Sequence, residues 1–206
     1  SPEPVGARTE DQGVLPAAKV MRVGAAAALV LKVVAAPEHV LLTTPDGGTV
    51  HAEVYGEGTQ AVVLAPGGRF HKESWEKQAR ALADGGFCAL AIDFRGRGQS
   101  RGGTAGDGGL RFDVLAAVRY LRQNGARTVS VVGASLGGGA AAEASIEAPG
   151  EIDRLVLLAH ASIDKPERMT GRKLFITARD DPRADGSSRL PGFARSTTPL
   201  PSRRSS

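Results

Sequence analysis

At 206 residues the chain has room for one domain with a sizeable core but not for two, and 41% apolar with 23% charged residues is an ordinary globular composition. The net charge of +4 suggests nucleic acid only until it is located: five of the 26 basic residues and one of the 22 acids lie in 182–206, leaving 21 of each elsewhere. A balanced folded part excludes a basic nucleic-acid face, a single cysteine (Cys88) excludes an internal disulfide, and no apolar run is long enough to span a membrane.

Residues 1–36 read as a leader. Met21-Arg22 precedes apolar residues 23–31 and 33–36, ending in small residues, which is the layout of a secretory signal. Lys32 interrupts that stretch and Pro37 follows its end, which fits instead a leader with a short surface helix. The first reading makes the chain secreted or periplasmic from a start at Met21; the second leaves it cytoplasmic.

HVLLTT and TVHAEVY flank Pro45-Asp46-Gly47-Gly48, so an antiparallel hairpin is predicted to open the domain. Nearly continuous apolar runs then recur at 62–65, 87–92, 129–132, 155–159 and 174–177, the pattern of parallel strands buried on both faces. Between them, Trp75, Ala79, Leu82 and Ala83 repeat at helical spacing, as do Leu110, Val114, Leu115, Val118 and Leu121. Strands alternating with helices predict an α/β fold with a mostly parallel sheet over 37–181. Residues 182–206, with six serines, four prolines and no apolar period, read as a disordered or aberrant basic tail.

The stretch VSVVGASLGGGAA carries the chemistry. A buried strand runs into Ser135, with Gly133 and Gly137 two residues away on either side, and a helix of small residues follows. A serine on so tight a strand-to-helix turn has an exposed hydroxyl, and bulky residues two positions away would collide with the turn. Its hydroxyl stands over free N–H groups and the positive end of the helix dipole, so Ser135 is the candidate nucleophile and the Leu136 N–H the first oxyanion donor. A glycine-rich turn that merely lets a helix approach the sheet would not require serine at its apex. The second donor is expected from the loop Pro66-Gly67-Gly68-Arg69-Phe70, at the N–H of Gly68, with Arg69 as the alternative. Trp75 and Phe70 read as core and pocket-wall residues.

These segments resemble the α/β-hydrolase superfamily over residues 39–181. GASLG matches its nucleophile turn, ALAIDFRGRGQSRG the segment around and after its fourth strand, and SWEKQARALADGGFCALAID the preceding helix and strand. PGGRF departs from the usual His-Gly start at Pro66, a small matter for backbone donors. The pattern is similar to small dienelactone-hydrolase-like and esterase-like members. The resemblance implies a sheet with an N-terminal antiparallel hairpin and helices on both faces, acting on a small-molecule acyl substrate without a cofactor. It also places the triad acid after the strand 173–177, at Asp181, with Asp180 as the close alternative; that acid would orient a histidine.

In this superfamily the histidine follows the acid in the chain. Here His39, His51, His71 and His160 all precede Asp181. Three readings stand. A last strand, histidine loop and helix are missing and unrelated sequence replaces them; or His160 or His71 substitutes; or the chain is a non-catalytic, hydrolase-like binding module. The first accounts best for an upstream pattern that is intact and a tail that keeps none of it. Without a base, turnover falls by about 10⁴- to 10⁶-fold. No histidine or cysteine cluster has metal spacing, and the glycines at 96, 98 and 102 miss the dinucleotide-binding spacing, so neither metal nor cofactor is expected. The reading is a serine hydrolase of carboxylic esters or related acyl bonds, of undetermined oligomeric state.

Overall fold

A computed structural model describes residues 36–160 and 163–178, all within the compact unit that begins at Ala35. The leader through residue 35, Asp180, Asp181 and the tail fall outside the described residues.

Seven strands, β1 (Glu38–Thr43), β2 (Thr49–Tyr55), β3 (Gln60–Ala65), β4 (Cys88–Ile92), β5 (Thr128–Ala134), β6 (Arg154–Leu158) and β7 (Arg172–Ile176), are found among the described residues. They form one sheet in the order β1-β2-β4-β3-β5-β6-β7. β1 pairs antiparallel with β2, and β2 with β4; every other pairing is parallel. The helices α1 (Glu76–Asp84), α2 (Leu110–Gln123) and α3 (Leu136–Glu147) occupy the intervals where the apolar spacing switches to a helical period. This is the α/β architecture expected from the sequence.

The continuous apolar runs follow from coverage of the sheet on both sides. Ala61, Val63, Ala65, Leu90, Ile92, Val129 and Val131 pack with Val114, Leu115, Val118 and Leu121 of α2 and with the alanines of α3. Their neighbours Val62, Leu64, Ala89 and Ala91 point the other way, toward Ala79, Trp75 and Leu82 of and beside α1. Successive side chains of a strand alternate faces, so a strand covered twice has no polar position to spare. Apolar residues on both faces hold β3, β4 and β5 as the centre of the molecule, and the loops at their C-terminal ends inherit that rigidity.

The hairpin is fastened to the rest by a buried charged cluster. Arg95, just past β4, donates through NH1 to Asp46 Oδ2 at 2.8 Å and through NH2 to Asp46 Oδ1 at 3.0 Å. The same guanidinium donates through Nε and NH2 to Asp113 Oδ1 at 3.0 and 2.7 Å, and the Arg95 N–H donates to Asp113 Oδ2 at 2.9 Å. Two bidentate pairs thus tie the β1–β2 turn and α2 to one side chain.

Hydrogen bonds from Arg95 hold the Asp46 carboxyl far below the usual carboxylate range, helped by Thr44 and the Ala105 N–H and opposed by burial. A depressed carboxylate contributes stability above its unfolded pKa and loses it as pH falls toward its folded value. The stability advantage of the wild type over Asp46→Asn should therefore be constant near neutrality and shrink as pH falls below about 4. Denaturant midpoints of the two chains across that range measure it; an advantage that persists unchanged in acid contradicts the assignment.

Candidate active site

β5 runs two residues past the apolar stretch, to Ala134, and α3 begins at Leu136, so Ser135 alone makes the turn. Its backbone is forced to φ 49°, ψ −109°, a left-handed conformation that costs a non-glycine residue of order 1–3 kcal/mol. Hydrogen bonds over-determine it. The Ser135 N–H donates to the Leu158 carbonyl of β6 at 2.8 Å, and the Ser135 carbonyl accepts from the N–H groups of Gly138 and Gly139 at 3.0 and 3.2 Å. The hydroxyl makes no capping bond to the helix, and the residue is half-buried. Leu136 and Gly137, at the first positions of α3, have no carbonyl one turn back within the helix to receive their N–H groups.

The two flanking glycines answer a contact requirement. A Cβ on Gly133 would fall on the Gly137 carbonyl oxygen and lie 2.7 Å from the Gly138 nitrogen. One on Gly137 would fall on the Ala65 carbonyl oxygen and lie 2.7 Å from that of Pro66. The start of α3 therefore lies directly against the end of β3 and the loop that leaves it. In that loop Gly68 meets Leu136: a Cβ on Gly68 would sit 3.4 Å from Leu136 Cδ2. The fold thus brings Leu136 and Gly68, the two residues singled out for backbone donors, side by side next to Ser135. Phe70 closes the loop with an N–H bond to the Gly67 carbonyl at 2.9 Å, and its ring is 61% exposed, at the rim of this region. Arg69, the alternative donor, is exposed.

Behind the loop lies a polar cluster that the sequence analysis did not find. Asp93 follows β4 and is buried. Its Oδ1 accepts the backbone N–H of Lys72 at 2.8 Å and its Oδ2 accepts Lys72 Nζ at 3.3 Å. His71 Nδ1 is 3.7 Å from Asp93 Oδ1, and Glu53, which accepts the Tyr55 hydroxyl, is 3.7 Å from Lys72 Nζ. Burial alone would lower the Lys72 pKa, but the hydrogen bond that Lys72 Nζ donates to the Glu73 carboxylate and the nearby Asp93 carboxylate outweigh it and raise it. No local pattern in the sequence links Asp93 to Lys72, which lies 21 residues before it.

The histidines are dispersed. His71 faces Asp93, His39 lies 3.6 Å from Glu53, and His51 is within β2. His160 lies two residues past Leu158, its Cβ close to Gly138 and its ring edge-on to Phe175 with centroids 5.5 Å apart. Asp181 and Asp180 lie outside the described residues. No group of three histidine, cysteine or carboxylate side chains able to hold a metal occurs among the described residues. No helix among them is long and apolar enough to cross a membrane. Surface hollows of about 380 and 370 Å³ lie between β1 and α2 and beside residues 164–168, away from Ser135.

The chain and its fold have counterparts among known proteins. The model of a hydrolase family described as serine aminopeptidase, S33, matches residues 56–179. The chain belongs to this α/β-hydrolase family. Its sequence is 33% identical over 101 residues to a non-heme chloroperoxidase of Kitasatospora aureofaciens, covering 48% of this chain and 35% of that one. It is 30% identical over 113 residues to the acetyltransferase component of an acetoin-cleaving system of Cupriavidus necator, covering 55% and 30%. The aligned part of this α/β-hydrolase thus spans about a third of the length of those relatives. A CIB-like hydrolase from Thermoplasma acidophilum superposes with a TM-score of 0.64 at 21% identity, covering 78% of this chain and 86% of that one, which shows the shared fold. An epoxide hydrolase from an endophytic Streptomyces superposes at 0.52 with 34% identity, covering 59% and 37%.

Proposed function

We propose that this α/β-hydrolase is a serine hydrolase that cleaves carboxylic esters or related acyl bonds through an acyl-enzyme. The observation that carries the reading is the strained backbone of Ser135 at the strand-to-helix turn, directly before the start of α3, against which the Gly68 loop packs. Ser135 Oγ attacks the acyl carbon while its proton passes to a base. The carbonyl oxygen, now negative, is held by the N–H groups of Leu136 and Gly68, donors that need no reorganisation because both belong to a packed backbone. The leaving group takes a proton and departs, and water attacks the ester on Ser135 to release the acid. In a complete triad Asp181 would orient the histidine that serves as base.

These 206 residues contain no histidine after Asp181. In this reading they carry the nucleophile and the oxyanion site but only slow turnover, down by about 10⁴- to 10⁶-fold from a complete triad. Added imidazole should stand in for the missing base. Incubated with a fluorophosphonate, the chain is expected to gain one adduct on the peptide containing Ser135, at a rate that rises with imidazole, and Ser135→Ala is expected to gain none. Equal labelling of the two chains, or no adduct on Ser135 at any imidazole concentration, overturns the serine assignment. The dispersal of the four histidines favours a second reading, a hydrolase-like binding module without chemistry, and the second of those outcomes is what it requires.

A further inference from the structure

The loop that carries Gly68 is held at both ends, and its far end is held by a group outside the nucleophile turn. At its start, the carbonyls of Ala65 and Pro66 abut Gly137. Its middle is the turn closed between Gly67 and Phe70. Two residues beyond Phe70 the Lys72 N–H donates to Asp93 Oδ1 at 2.8 Å, and the Lys72 side chain reaches Oδ2 of the same carboxylate.

Asp93 is itself fixed from several directions. Its N–H donates to the His51 carbonyl at 2.9 Å and its carbonyl accepts the Ser100 hydroxyl at 2.9 Å. Ser100 Oγ in turn accepts the His51 N–H at 2.9 Å. Gly98, at φ +50°, lies so close that a Cβ there would sit 2.8 Å from Asp93 Oδ2. The Asp93 side chain is 3% exposed, and a carboxylate so enclosed with charge-assisted bonds has little freedom to move. It is a stiff post on the rigid end of β4, and it receives the backbone just where the loop ends.

We propose that Asp93 is a positioning residue that sets the Gly68 N–H toward the oxyanion by anchoring the far end of its loop at the Lys72 N–H; the inference rests on the serine-hydrolase reading. An oxyanion donor displaced by about 1 Å forfeits much of its effect, at a cost near 100-fold, comparable with loss of the donor itself.

The test uses two phosphonofluoridates that differ only in P=O against P=S, reacted with the full chain in imidazole, with adducts mapped to Ser135. Sulfur accepts hydrogen bonds weakly, so the oxygen-to-sulfur rate ratio reports donor placement, whereas partial unfolding slows both probes alike. Asp93→Ala is expected to lower the P=O rate by about 10- to 100-fold and to reduce the ratio. Asp93→Asn, which retains an acceptor for the Lys72 N–H, is expected to recover most of both. Should Asp93→Ala fail to fold, Lys72→Pro removes that N–H together with the side-chain contacts of Lys72 to Asp93, Glu53 and Glu73. His71 before it is already extended at φ −116°, ψ 173°, as a residue preceding proline must be. A wild-type ratio in Asp93→Ala or Lys72→Pro, with Ser135 still labelled, overturns the positioning role alone. Absence of a Ser135 adduct in the wild type overturns the serine reading and this inference with it.

Discussion

Gly137→Ala is expected to destabilise the fold by about 3 kcal/mol, the upper end for overpacking, and to slow adduct formation at Ser135 by at least about 100-fold. The added methyl has nowhere to go. It falls on the Ala65 carbonyl and lies 2.7 Å from that of Pro66, and both obstacles are main-chain atoms that cannot rotate aside. Relief requires α3 to lift from the end of β3. That motion would separate Leu136 from Gly68 and relax the strained backbone at Ser135, on which the proposed serine chemistry rests. Stability and reactivity should therefore fall together. Gly108 is the control, since a Cβ there meets nothing within 4 Å, and Gly108→Ala should match the wild type in both measurements. A Gly137→Ala chain that labels at the wild-type rate would mean that the helix start and the loop are not mutually constrained.

The same steric demand explains why this part of the molecule was legible in the sequence. Where two backbones touch, only glycine fits, so the packing of α3 against β3 is recorded locally at Gly133 and Gly137. The strands were legible for a related reason: coverage of both sheet faces leaves continuous apolar runs such as 62–65, and the hairpin announces itself through its turn residues. Boundaries were less well marked, because the end of β5 at Ala134 is set by pairing with Leu158 of β6 rather than by any property of Ala134. The polar clusters were not legible at all. Lys72 and Asp93 are 21 residues apart, Arg95 and Asp113 are 18 apart, and Arg95 and Asp46 are 49 apart. No local period encodes such pairs, and each charge taken alone reads as part of a solvated loop. Asp93 and Arg95 fell within a motif matched by resemblance, but resemblance named the segment and not what its side chains hold. Asp181 was likewise placed by resemblance alone, and it lies outside the described residues.

Arg95→Met is expected to cost about 3–5 kcal/mol, a large part of the roughly 5–15 kcal/mol that holds a domain together. The loss is less the value of the ion pairs than the penalty of the carboxylates left behind. The two do not suffer equally. Asp46 keeps the Thr44 hydroxyl at 2.6 Å and the Ala105 N–H at 3.1 Å, and its side chain is 7% exposed. Asp113 is 0% exposed and, once Arg95 is shortened, retains from this cluster only the Arg95 main-chain N–H. Even with Arg95 present, burial raises the Asp113 pKa against the lowering effect of the guanidinium; removing the guanidinium leaves burial without that opposition. A carboxyl whose pKa is raised on folding binds its proton more readily in the native state, so its penalty grows as pH rises through the folded value and is relieved below it. The stability defect of Arg95→Met should accordingly be smaller near pH 5 than near pH 7. Adding Asp113→Leu should recover part of the neutral-pH loss and remove most of that pH dependence, because it deletes the group that cannot be solvated. Denaturant unfolding of the three chains at both pH values decides the matter. A single-mutant defect independent of pH, or a double mutant no more stable than the single, would place the penalty in lost packing around the arginine stem instead of in the stranded charge.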